Sequence, residues 1–189
     1  MDSLIWARQG ALFVHAMAFA IALATVWRED LALLRTRRVS TARLAACATT
    51  LTWALAVLWA SGLLLIGLQV GSDLQALVAN PKLVAKLLVV SALTANGMAL
   101  HALAFPKLHA GAGPGRMAPG EALLPVVLGA ISSASWLAAS FVGLSRLVAP
   151  TLQLSDYLAL YAAMLVGAVL LAVAVFRPQR WQLAASVNP

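Results

Sequence analysis

Apolar and polar positions along the chain alternate on a long wavelength. Five apolar runs, about Leu4 to Trp27, Leu44 to Leu68, Leu83 to Phe105, Ala122 to Leu147 and Leu154 to Phe176, are separated by short polar or Gly/Pro-rich stretches. A helix needs about 20 apolar residues to cross a bilayer core, and a spanning segment must satisfy its own backbone. The pattern therefore predicts an all-α integral membrane protein: one transmembrane domain over residues 1–189, folded as a five-helix bundle.

Within the first run, Arg8, His15, Ala22 and Glu29 recur every seven residues, with Ala11 and Ala18 beside them. A spacing of seven drifts only about 20° per step, so these residues share one helix face. A face that mixes small residues with the segment's charged and titratable groups is expected to point at other helices rather than at lipid. In the second run Cys47, Thr50, Ala54, Val57 and Ser61 form a similar narrow face, with Trp53 and Trp59 off it.

The third run has a clear helix start. Asn80 suits an N-cap and Pro81 the first helical position, and Lys82 and Lys86 then stack one turn apart. Two lysines there are expected to snorkel toward lipid phosphate, or to meet an anion at the surface. Further along, Ser91, Thr94, Met98 and His101 share one face, while Asn96 points the other way. That makes Ser91 to His101 a second candidate inward stripe, ended by Pro106. In the fourth run Gly129, Ser133, Trp136, Ser140 and Gly143 gather near one face, which suits close helix approach. Tyr157 and Tyr161 open the fifth as an expected aromatic belt.

Composition agrees with a bilayer protein: 62% hydrophobic residues, 10% charged, and a mean hydropathy of +0.91 lie well outside the soluble range. The N-terminus lacks the basic region and small-residue cleavage site of a secretory signal, so no cleavage is expected. The net charge of +7 would suggest nucleic acid in a soluble domain. Here the arginines sit in loops beside apolar runs, so topology explains the basicity and nucleic acid is not an expected partner. Arg28, Arg35, Arg37, Arg38, Arg43, Lys107, Arg116, Arg177 and Arg180 fall on one side, against Arg8, Lys82, Lys86 and Arg146 on the other. The positive-inside rule then places the N-terminus out and the C-terminus in. Between the first two runs, the connection Arg28 to Arg43 reads as a basic topogenic loop or an interfacial helical extension.

The candidate chemistry is sparse. Cys47 is the single cysteine, so a cysteine-based metal cluster within one chain is excluded. The segment HAGAGPGRMAPGE lacks the ending of a phosphate loop, and His109 within it reads as a surface residue. No Ser-His-Asp set, paired carboxylates or His-Glu-x-x-His motif lies in the spans, so an enzyme is not expected. What remains is two intramembrane histidines, a functional signal by default. His15 and His101 are candidate cofactor ligands, with Met98 as a further metal ligand, Glu29 as a charged partner, and Ser91, Thr94 and Asn96 as polar interior. With each span centred in the membrane, the two histidines lie about 15 Å apart in depth. The axial ligands of one haem iron stand within about 4 Å of each other, which disfavours a haem shared by this pair.

Taken together, the histidine in the first span, the LWASGLLLIGLQ end of the second, PKLVAKLLVVSALTANGMALHALAFPKL and the Ser- and Trp-containing fourth span resemble the copper-resistance protein D-like bacterial inner-membrane domain. The resemblance covers roughly Gly10 to Gly143 and is most specific from Lys86 to Pro106. It implies a multi-pass protein of the bacterial inner membrane linked to copper handling; some similar small bundles bind haem b. The sequence departs from it in lacking a Met- or His-rich outer segment for metal capture. Three readings stay open: metal (copper) handling or transport, a b-type haem electron-transfer subunit, and a structural or assembly subunit. The expected partners are the lipid bilayer and another membrane protein or a second copy of the chain.

Overall fold

The computed structural model describes residues 2–36, 40–106 and 119–175. Among these the chain is helical with short connections and no strand, and five of its helices are long and apolar enough to cross a membrane. They are α1 (Asp2–Thr36), α2 (Thr41–Val70), α4 (Pro81–Ala99), α5 (Pro119–Leu144) and α6 (Leu154–Val175); a short α3 (Leu74–Val78) lies between α2 and α4. The Gly/Pro-rich loop with Lys107, His109 and Arg116, the tail with Arg177 and Arg180, and Arg37 and Arg38 lie outside the described residues.

Local chemistry sets the helix ends. α2 closes at Gly71, whose φ of 61° is natural for glycine and whose N–H donates to the Gly67 carbonyl. Asp73 caps α3 by accepting from the N–H groups of Gln75 and Ala76. As the sequence predicts, Asn80 caps α4 through the Leu83 N–H, with Pro81 next. α4 then continues through a wider π turn, Leu100–Ala104, in which the Phe105 N–H reaches back to the Leu100 carbonyl. α1 continues to Thr36, so the arginine-containing connection begins as a helical extension. α5 ends at Leu144, short of the expected Leu147, where a run of turns carries the chain to a 3-10 turn at Ala149–Thr151.

α1 and α2 form one hairpin, and α5 and α6 another. α4 lies against α5 and α6, and α1 touches α5. The main core draws Ala18, Ala22 and Val26 from α1, Ala54 and Leu58 from α2, Leu93 from α4 and Trp136 from α5. Trp136 is packed on Phe19, with ring centroids 5.7 Å apart. Small residues dominate because in lipid helix association rests on close packing rather than on hydrophobic burial. A second cluster joins Ala85, Val142 and Tyr157. Large apolar side chains such as Leu170, Leu171 and Val166 of α6 remain exposed, which suits contact with lipid tails.

Several expectations are met and others corrected. The α1 face is inward at Ala11, Ala18 and Ala22, which are buried, while His15 and Glu29 on it are half-buried and Arg8 is exposed. The Ser91 to His101 stripe is not: Ser91, Met98 and His101 are exposed, and it is Asn96 that is buried. Serine can satisfy itself on its own helix backbone, whereas the Asn96 amide needs an acceptor on another helix, and donates to the Leu128 carbonyl at 3.0 Å. The fourth-span glycines are not points of close approach, since a Cβ at Gly129 or Gly143 would meet nothing within 4 Å; Ala134, Ser135 and Ala138 face inward instead. Tyr157 is buried beside Ser145, and Tyr161 bonds Ser135 at 2.8 Å, so the two tyrosines join α5 to α6 rather than form a belt. Replacing Asn96 with alanine is expected to lower stability by about 1 kcal/mol, the scale of an interhelical hydrogen bond in lipid. Unfolding in mixed detergent micelles measures it.

Candidate functional site

His15 lies half-buried on the inward face of α1, opposite the final turns of α2. Its Nδ1 is 2.9 Å from the Ser61 hydroxyl. Ser61 in turn donates to the Val57 carbonyl at 2.6 Å. A hydroxyl has a single proton: with it on Val57, the Ser61 oxygen accepts from His15 Nδ1–H, and with it on His15, the ring nitrogen accepts. In both cases Ser61 fixes where the ring sits, and the Nδ1–H tautomer is the one that would leave the lone pair on Nε2. Fixing one ring nitrogen so that the other is basic is the arrangement that orients a ligating or proton-accepting histidine.

Gly62 faces the ring: a Cβ there would stand 3.4 Å from His15 Cε1, in ordinary contact, with no space for a larger side chain on that line. Two residues before Ser61 on α2, Trp59 Nε1 donates to the Thr94 hydroxyl at 3.0 Å, joining α2 to α4. Thr94 is half-buried in this contact. Lys86 of α4 has no ion-pair partner among the described residues, and its charge acts on His15.

Toward the other end of α1, Glu29 does not partner either histidine. Its carboxylate pairs with Arg28 and Arg43, both at 3.1 Å. Asp30 is the acid that turns into the bundle, accepting a hydrogen bond from Ser133 on α5. Sequence reasoning missed it because a period of seven from Ala22 arrives at Glu29. A period of four through Ala18, Ala22 and Val26, the residues α1 actually buries, arrives at Asp30.

His101 stands exposed on the π turn, edge-on to Phe105 with centroids 4.8 Å apart, and Met98 one turn earlier is 68% exposed. The pairings His15–Ser61 and Trp59–Thr94 put His15 close to the level of Ala92 on α4. His101 is nine residues further, about 14 Å along the axis. The structure therefore does not bring His15, Met98 and His101 together. No group of three or more His, Cys, Asp or Glu side chains suited to a metal occurs among the described residues. Cys47 is buried near the Glu29 and Asp30 end, remote from His15.

These features define a class, a five-helix bundle of membrane-crossing type with an oriented histidine in its first helix. Comparison with family models, curated proteins and solved structures finds no match to this chain.

Proposed function

We propose that the protein is a small multi-pass protein of the bacterial inner membrane, N-terminus out and C-terminus in, that handles metal cations of the copper type, with His15 as a ligand. The observation that carries the reading is the half-buried imidazole held at Nδ1 by Ser61; the reading takes the Nδ1–H tautomer, which leaves the Nε2 lone pair for a metal. Imidazole suits copper among the first-row metals, and a hydrogen-bonded Nδ1–H raises the basicity of the other nitrogen. A single imidazole does not complete a coordination sphere. With Met98 and His101 remote, the remaining ligands in this reading come from a second copy of the chain or from a membrane partner. The reading assigns no catalytic residue.

A second reading rests on the same lone pair. His15 would supply one axial ligand of a b-type haem in an electron-transfer subunit, the other coming from a partner, and the haem would supply one-electron redox chemistry. Metal analysis of the purified chain together with its absorption spectrum separates the two, since only haem gives a Soret band. A protein free of both, co-purifying with other subunits, would favour the assembly role.

Lys86 offers a test of sign. A cation at His15 is repelled by the Lys86 ammonium, so Lys86→Gln is expected to tighten copper binding by about three- to tenfold at low salt. Copper titration in a neutral detergent checks this; unchanged affinity would show that a bound cation does not feel this charge.

A further inference from the structure

At the end of the bundle opposite Arg28 and Arg43, three cations collect without an ion-pair partner among the described residues. Lys82 and Lys86 are one turn apart on α4 and share a face. Ala85, between them, packs against Val142 of α5. Arg146 follows Val142 by one turn, in the bend that leads to the 3-10 segment, so it lies at the same end as the two lysines. The three charges act on one another. Beside them is an open depression with Asn80, Pro81 and Lys82 on one wall and Ala149, Pro150 and Leu152 on the other.

The described carboxylates at this end keep their charge but are turned to backbone N–H groups and pair with none of the three cations. Asp73 caps α3, and Asp156 accepts from the Gln153 N–H at 2.7 Å. No ion pair among the described residues involves Lys82, Lys86 or Arg146. Like charges held together within one turn of a membrane helix are costly unless an anion offsets them. We infer that Lys82, Lys86 and Arg146 form a binding site for a phosphate group, seated at the mouth of the depression between the α4 start and the Ala149–Leu152 turn.

Phosphate is the anion that matches. Its several oxygens can meet three separate cationic donors at once, whereas a carboxylate offers two oxygens in a plane. Arginine adds the planar fork suited to phosphate. The apolar wall of Ala149, Pro150 and Leu152 would lie along whatever the phosphate carries, and for a lipid that is the glycerol and the start of its chains. The same chemistry is offered by an anionic lipid headgroup and by free phosphate. The site does not require metal at His15, although Lys86 is common to both readings.

The test uses the full chain. Native mass spectrometry from micelles containing equal phosphatidylglycerol and phosphatidylcholine compares the wild type with the Lys82→Gln/Lys86→Gln double variant. The wild type should retain phosphatidylglycerol preferentially, and the double variant should weaken that preference by about tenfold or more. Lys82→Arg/Lys86→Arg should keep it. Arg146→Gln, at an exposed position, should weaken it alone, and serves if the double variant does not fold. In parallel, inorganic phosphate is titrated into protein in neutral detergent. Lysine-dependent lipid retention identifies a headgroup as the source; lysine-dependent binding of inorganic phosphate identifies the free anion. Equal lipid retention by wild type and variants, with no phosphate binding by either, would overturn the proposal.

Discussion

Trp136→Ala is expected to be the most destabilising single change in the bundle, at about 3 kcal/mol. Trp136 is 3% exposed and belongs to the cluster that joins α1, α2, α4 and α5, with its ring against Phe19. Truncating a buried tryptophan typically costs about 3–5 kcal/mol in soluble cores, part of it from the cavity left behind. The lower end applies here because separated helices would remain in lipid and lose packing rather than hydrophobic burial. The neighbouring Leu137 supplies the control: it is 39% exposed, and Leu137→Ala should change stability by less than about 0.5 kcal/mol. Unfolding in mixed micelles reads both. Equal losses would mean that Trp136 does not hold the hairpins together.

The second large effect is expected at a residue with no side chain. His15 owes its position to Ser61, which fixes the ring, and to Gly62, which leaves room for it. A Cβ at position 62 stands 3.4 Å from His15 Cε1, an ordinary contact, so Gly62→Ala should keep metal binding. The branched methyls of Gly62→Val would extend beyond that Cβ and drive the imidazole off Ser61. Loss of an orienting partner of a metal-ligating histidine costs about 10–100-fold in affinity. Gly62→Val and Ser61→Ala are therefore both expected to weaken copper binding by at least about tenfold, while Gly62→Ala stays near wild type. If Gly62→Val binds as the wild type does, the ring position is not what sets affinity.

The fold class is written in the chain because hydrocarbon thickness imposes one length on every span. The five long helices and the Asn80–Pro81 start of α4 follow from apolar run length and capping chemistry alone. The inward face of α1 was legible too, since Ala11, Ala18 and Ala22 combine small size with helical spacing. The α4 face was not. Serine, threonine and methionine tolerate either lipid or protein, so the Ser91 to His101 stripe gave no vector, whereas the single asparagine carried a real demand for a partner. Asp30 was hidden because it adjoins Glu29 in a charged run, and two acids 100° apart have opposite fates: one meets arginines, the other turns toward Ser133. The tyrosines misled for a similar reason. A phenol near a span end suits a headgroup, but Ser135 on α5 and Ser145 just after it offered partners inside the bundle.

The site was half legible. A histidine among alanines on a helix face draws attention without further help. Its partner was not readable, because that depends on which turn of α2 stands opposite His15. Nor could the sequence show that His101 faces away from His15, since that depends on which side of α4 meets α5.

The most direct measurement is the metal content and the oxidised and dithionite-reduced absorption spectrum of detergent-purified wild-type protein and of His15→Ala, both supplied with copper and haem. The account predicts copper bound to the wild type, no Soret band, and loss of the metal in His15→Ala with the fold intact. A Soret band that disappears in His15→Ala would replace copper by haem at the same nitrogen. Equal metal content in the two proteins, or none in either, would contradict the role given to His15.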